Sequence, residues 1–279
     1  MFTILTPPAF ERVKPLFADM AYHLAIMTVL AGKTPGQVFV DDPEAPQTAL
    51  LLPTNPHRIY LAGRAEHPDL QQTIQAIIAQ QYHKLSPGAD GYGALLYYPP
   101  GGESWQALLD TVLQGQKTFM GQREFHRLKL PHTIVSSPLP EGFMLRRLDD
   151  KLLQELEPTN RAHVLEEICS ESPSLEHFLT YNFGLCAQHE HMLSGWCLAE
   201  YRDQERCELG IETLEDYQRQ GIATALAQAV IEQAFVEGAT EIGWHCWARN
   251  TPSVATAKKL GFEKAFDYPV YYCQYRQEA

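Results

Sequence analysis

The sequence predicts an α+β fold of α/β/α layers, with helices on both faces of mixed, mostly antiparallel sheets, laid out as two domains. Three observations lead there. A chain of 279 residues is long for a single domain. Short β-type runs alternate along it with segments whose apolar residues recur at helical spacing. The two halves also differ in chemistry. Residues 1–140 carry 10 basic and 11 acidic side chains, a net of −1, whereas residues 141–279 carry 12 and 23, a net of −11. All six cysteines fall in the second half. The expected division is a domain at 1–130, a linker at 131–140 and a domain at 141–279.

Within the first half, Phe10, Val13, Leu16, Phe17, Met20 and Leu24 recur at helical spacing, which predicts one or two helices over 8–31. Three strands are expected at 37–41, 48–52 and 58–62, separated by the turn chemistry of Asp42-Pro-Glu-Ala-Pro and Pro53-Thr-Asn-Pro. A helix at 68–80, a strand at 94–98, a helix at 104–113 and a strand at 123–130 complete this half. The stretch 131–140 holds three prolines and two serines and reads as a linker.

The second half opens with a strand at 143–148 and a helix at 151–169, with Asp149-Asp150 at its start. A helix at 174–181 follows, capped by Ser172-Pro173. Strands at 183–189, 193–201 and 207–213 form an antiparallel meander. A long helix at 221–238, a strand at 241–247, a helix at 252–260 and a strand at 270–275 close the chain. Both halves thus share an order of elements, which an internal duplication with a degenerate first copy would explain.

Composition excludes several classes. No apolar run approaches the roughly 18 residues of a membrane span, and the start of the chain lacks the basic residues and cleavage site of a signal peptide. The cysteines form no C-x-x-C pair, and most sit in apolar runs, so they read as reduced core residues of a cytoplasmic protein. An acidic chain with no basic cluster is a poor partner for nucleic acid. His189-Glu190-His191 lies at a hairpin turn with no third ligand in register, so no metal is expected.

The most informative stretch is Leu209-Gly-Ile-Glu-Thr-Leu-Glu-Asp-Tyr-Gln-Arg-Gln-Gly-Ile-Ala-Thr-Ala-Leu-Ala227, a strand, a short loop and the start of a helix. Gly221 leaves the backbone open to close approach. The first amides of that helix have no intrahelical acceptor and sit at the positive end of the macrodipole, and Arg219 adds a cation in an acidic domain. Gln218-x-x-Gly221-x-Ala223, with Tyr217 before and Thr224-Ala-Leu after, resembles the Q/R-x-x-G-x-G/A motif of the GNAT superfamily of acetyl-CoA-dependent acetyltransferases. Asn250-Thr-Pro-Ser253 and Lys259-Leu-Gly-Phe262 are similar to the family's later segment at the usual distance. The resemblance spans 143–275.

It implies a GNAT-like C-terminal domain that transfers acetyl from acetyl-CoA to a small-molecule amine. The amides of Arg219, Gln220, Gly221, Ile222, Ala223 and Thr224 would cradle the pyrophosphate, and Gln218 begins the motif. Amides near Ile211 and Thr213 would pair with the pantetheine arm, one of them facing the developing oxyanion. Asn250 would bond the pantetheine amides beside Ser253. The family's usual general acid, a tyrosine seven residues after the asparagine, is replaced by Ala257, leaving Tyr268, Tyr271 or Tyr272 to supply a proton; Tyr272 is the candidate carried forward. Glu208 and Glu212, on one face of a strand, are the candidate bases. His245 is a third candidate, though a lone histidine there also fits a packed core. The net of −11 suits a cationic acceptor, with the N-terminal domain walling its cleft or mediating a homodimer. The missing tyrosine leaves a catalytically silent CoA or acyl-CoA sensor as the alternative.

Overall fold

The computed structural model describes residues 2–85, 92–130 and 137–276. It divides into two compact units, Met1–Arg123 with Tyr268–Ala279, and Glu124–Asp267. Compactness therefore divides the chain differently from the expected 1–130 and 141–279, because the last strand counts with the first unit. Of the expected linker, residues 131–136 lie outside the described residues.

The first unit begins with a two-residue edge strand β1 (Thr3–Ile4) that no sequence pattern announced. Two 3-10 helices follow, Pro7–Arg12 and Lys14–Met20, then the short helix α1 (Leu24–Leu30). The apolar spacing predicted α-helix through this region. Proline sits in the first turn of both 3-10 segments, where it removes donors and favours short, tight turns. The apolar residues are still buried as expected, with Val13, Phe17 and Met20 inaccessible to solvent. Strands β2 (Gly36–Val40), β3 (Thr48–Pro53) and β4 (Arg58–Gly63) lead to helix α2 (Leu70–Leu85), strand β5 (Tyr92–Tyr97) and helix α3 (Glu103–Val112). Helices α2 and α3 cover the sheet through Ile74, Ile78, Trp105 and Leu109.

The strand β6 (Lys117–Lys129) starts earlier than its apolar residues suggested. In the second unit come β7 (Phe143–Arg147), α4 (Asp150–Glu155), α5 (Pro158–Glu171), α6 (Leu175–Tyr181), β8 (Phe183–His189), β9 (Met192–Asp203) and β10 (Arg206–Thr213). They are followed by α7 (Ile222–Val236), β11 (Glu241–Trp247) and α8 (Thr251–Lys259), and β12 (Glu263–Tyr275) closes the chain. The single helix expected at 151–169 is two, because Pro158 cannot continue a helix and instead starts a new one. Asp149 caps α4 as expected, accepting from the Leu152 amide at 2.8 Å. The cap of α6 is Ser174, not Ser172-Pro173; its hydroxyl accepts from the His177 amide.

Strand order in the first unit is β1-β2-β3-β4-β5-β12, and in the second β7-β8-β9-β10-β11-β6. In both, the first three pairings are antiparallel and the fourth, β4–β5 or β10–β11, is parallel. Each unit takes its sixth strand from a distant part of the chain. The two units thus match in strand order and in the sense of these pairings. In the second unit, α7 and α8 pack on one face of the sheet through Ile222, Leu226 and Ala257 against Cys197, Leu209 and Trp244. Helices α4 to α6 cover the other face at Trp196 and Leu198. No described helix is long and apolar enough to cross a membrane.

Candidate active site

The site is built where β10 parts from β11. Their parallel pairing runs from Arg206–Glu241 to Leu209–Trp244 and stops, while β10 stays paired to β9 through Thr213–Gly195. A register shift between Glu208 and Leu209 inserts Glu200 as an extra residue in β9, and such a bulge bends and twists the strand locally. The backbone edges of Gly210–Thr213 and of the residues after Trp244 are thereby left facing a gap. Beside Gly195 of β9, the hydroxyl of Thr213 is buried and has no hydrogen-bond partner among the described residues.

The loop from β10 into α7 is closed by its own side chains. Gln218 donates through Nε2 to the Thr213 carbonyl at 3.1 Å, and Gln220 donates to the Asp216 carbonyl at 3.3 Å. Arg219 has φ of 61° and Gly221, the N-cap of α7, has φ of 86°. A β carbon at Gly221 would meet nothing within 4 Å, so the space over the helix start is open. Gly221 supplies no side-chain cap, and the opening amides of α7 have no carbonyl behind them. Ile222 and Thr224 are buried, Ala223 half-buried and Arg219 exposed, so this loop presents backbone donors and one cation. That arrangement suits a phosphate.

Asn250 caps α8 by accepting from the Ser253 amide at 3.2 Å, and the Ser253 hydroxyl accepts from the indole of Trp244 at 3.0 Å. Both residues thus tie α8 to β11 beside the gap. Ala257 lies fully buried against the α7 face.

Carboxylates gather on the face of the sheet opposite α7. Glu208 is buried, with Oε2 3.7 Å from Nε2 of His245. Glu200 lies over Gly210, and Tyr201, opposite Glu208 in the ladder, donates its hydroxyl to Glu171 at 2.6 Å. Glu212, four residues on from Glu208, is exposed. Sequence reasoning picked Glu208 and Glu212 but missed Glu200 and Glu171. A lone acid in the apolar run of β9 was the available signal for Glu200. Tyr272 lies in the other compact unit, where its ring packs at a tilt against Phe119 with centroids 4.9 Å apart. Tyr271 there donates to Asp110 at 2.7 Å, and Tyr268 is buried beside Tyr22 and His23.

The matching junction of the first unit, from β4 into α2, reads Arg64-Ala-Glu-His-Pro-Asp69. Here proline removes an amide and no glycine opens the backbone, so the junction lacks the features of the loop before α7. A separate trio, Glu124, His126 and Cys246, brings three metal-ligating atoms within 4.8 Å of one another. Its carboxylate is already engaged by Lys264 and His126, at 3.1 and 2.7 Å.

Comparison with known proteins places this architecture. Residues 14–271 match the family model of the GNAT acetyltransferases. An uncharacterized N-acetyltransferase of Bacillus subtilis, YdfB, is 25% identical over 269 residues, covering 96% of this chain and 97% of its own. A GCN5-related N-acetyltransferase-like protein of Streptococcus suis superposes with a TM-score of 0.72 at 23% identity, covering 96% of this chain and 99% of that one. A tandem GNAT protein from the clavulanic acid biosynthesis pathway superposes at 0.61 and 13% identity, covering 100% and 99%. With its family match running through both compact units, this chain belongs to the GNAT acetyltransferase family and is an N-acetyltransferase.

Proposed function

We propose that the second unit binds acetyl-CoA at the start of α7 and transfers the acetyl group directly to a primary amine of a cationic small molecule. The observation that carries this is the parting of β10 from β11 after Leu209–Trp244, directly before a helix whose N-cap is Gly221 in the left-handed region. The residues fit the ligand. The open space at Gly221 admits a pyrophosphate. Acetyl-CoA supplies an activated thioester.

In this reading the amides of Arg219 to Thr224 hold the pyrophosphate, with the Arg219 side chain alongside. Backbone groups of Ile211 and Thr213 pair with the pantetheine arm, and one amide stabilises the negative charge that develops on the thioester oxygen. Asn250 and Ser253 border the arm while holding α8. An alkylamine with pKa near 10 arrives protonated, so Glu208 takes its proton, with Glu212 at the mouth of the cleft. The buried carboxylates Glu171, Glu200 and Glu208 support a cationic acceptor, because they create negative potential on the face an amine would approach. Reduced cysteines fit a cytoplasmic setting.

Titration calorimetry with CoA tests the reading. The protein should bind CoA, and Gly221→Asp should abolish binding while the thermal unfolding transition persists. Unchanged binding by the variant would contradict the motif assignment. Burial of Ala257 where family members carry an acidic tyrosine favours a second reading, a silent acyl-CoA sensor. That reading requires tight CoA binding without turnover.

A further inference from the structure

We propose that His245 is the proton-receiving partner of Glu208, held in position by Phe125. This rests on the acetyl-transfer reading above and deepens it. Glu208 stands opposite Gly243 in the parallel ladder, and the last pair is Leu209–Trp244. His245 is therefore the first residue of β11 beyond the paired region, on the same face as Glu208, with Nε2 3.7 Å from Oε2. The ring is fixed from its other side. Gly243 has no β carbon, and one built there would stand 3.1 Å from Cε2 of Phe125. The vacancy lets Phe125 lie over β11 and stack on His245, with centroids 4.7 Å apart and planes 29° apart. Three elements thus converge to aim one imidazole at one carboxylate where the two strands open.

Near the pair, Tyr201 of β9 is hydrogen-bonded to Glu171 of α5, Glu200 lies over Gly210 and Phe125 of β6 is uncharged. Arg206, two residues before Glu208 and paired with Asp203, and Arg127, two residues beyond Phe125, are cations at alternate positions of the same strands. A carboxylate this close to an imidazole favours its protonated form. The proton account then closes. Glu208 removes one proton from the ammonium, and His245 receives it and releases it to water. The freed nitrogen lone pair forms the C–N bond, and the C–S bonding pair leaves with sulfur. A second nitrogen proton ends on the thiolate, so ammonium and thioester become amide, thiol and one released proton.

The first test needs no acceptor. Histidine Cε1–H signals of the full chain are titrated by NMR, with His245 assigned from its loss in His245→Gln. In Glu208→Gln the His245 midpoint should move to lower pH, and an unchanged midpoint overturns the pairing. The second test uses spermidine with acetyl-CoA. His245→Gln should lower kcat by about tenfold or more at pH 7, with CoA affinity by calorimetry unchanged. That deficit should shrink towards pH 9, where the amine loses its own proton. No deficit, or one constant across pH, overturns the role. If the unaltered protein leaves spermidine unacetylated, polyamine transfer fails as a reading, while the NMR titration still decides the pair.

Discussion

The carboxylate of Glu200 occupies the space that a side chain at residue 210 would need: a β carbon on Gly210 would lie 1.5 Å from Glu200 Oε1. Glycine leaves room there for the acid displaced by the β9 bulge. Gly210→Ala should therefore destabilise the fold by about 1–3 kcal/mol in urea unfolding, as overpacking does. Glu200→Ala in the same chain should recover most of that loss. Equal stability of Gly210→Ala and the parent protein would mean that Glu200 lies elsewhere.

The Asn250 side chain closes the first turn of α8 through the Ser253 amide. Asn250→Ala removes that cap and should lower unfolding stability by about 1 kcal/mol. Asn250→Ser keeps a capping oxygen and should recover most of it. In the acetyl-CoA reading, both variants should also weaken CoA binding, since neither carries a carboxamide. Calorimetry on the two variants separates the capping role from the ligand role.

Glu124 makes stability depend on pH in a defined direction. Burial alone would raise its carboxyl, but hydrogen bonds from Lys264 and His126 outweigh that and hold it below the ordinary range. A carboxylate whose folded value is depressed contributes stability above its unfolded value, about 4.3 for glutamate, and loses it as pH falls through the folded value. Urea midpoints should therefore drop as pH is lowered below about 4.5. Lys264→Met should flatten that drop, and identical acid slopes for the two proteins would count against the ion pair.

Thiol chemistry should single out one cysteine. Cys169 is exposed, whereas the other five are buried. Burial pushes the thiols of Cys186, Cys207 and Cys273 up to about 12 and that of Cys197 well above its ordinary value. Only thiolates react at a useful rate. Intact mass after iodoacetamide at neutral pH should show a single adduct, mapping to Cys169, with further adducts appearing only on unfolding.

The layers, the meander and the motif helix were legible because their signals are local. Alternation marked β8 to β10, and Gly221 after Gln218 marked the start of α7. Proline defeated periodicity twice. It turned 7–20 into 3-10 helix, and at Pro158 it split one expected helix into two. The exchange of sixth strands was not legible, because no residue pattern says which neighbour a strand will choose. The loop before α7 was readable from the spacing of Gln218, Gly221 and Ala223 together with a glycine at a helix start. The carboxylate face was not, since Glu200 reaches Gly210 only through a bulge that depends on pairing across strands.

Acetyl transfer to a cationic amine is tested most directly by acceptor-dependent release of CoA thiol from acetyl-CoA. The panel should set polyamines and aminosugars against amines that carry carboxylates. The account predicts thiol release that requires a cationic amine, with the product heavier by one acetyl group. Tight CoA binding with no release on any cationic amine, or a preference for anionic acceptors, would contradict it.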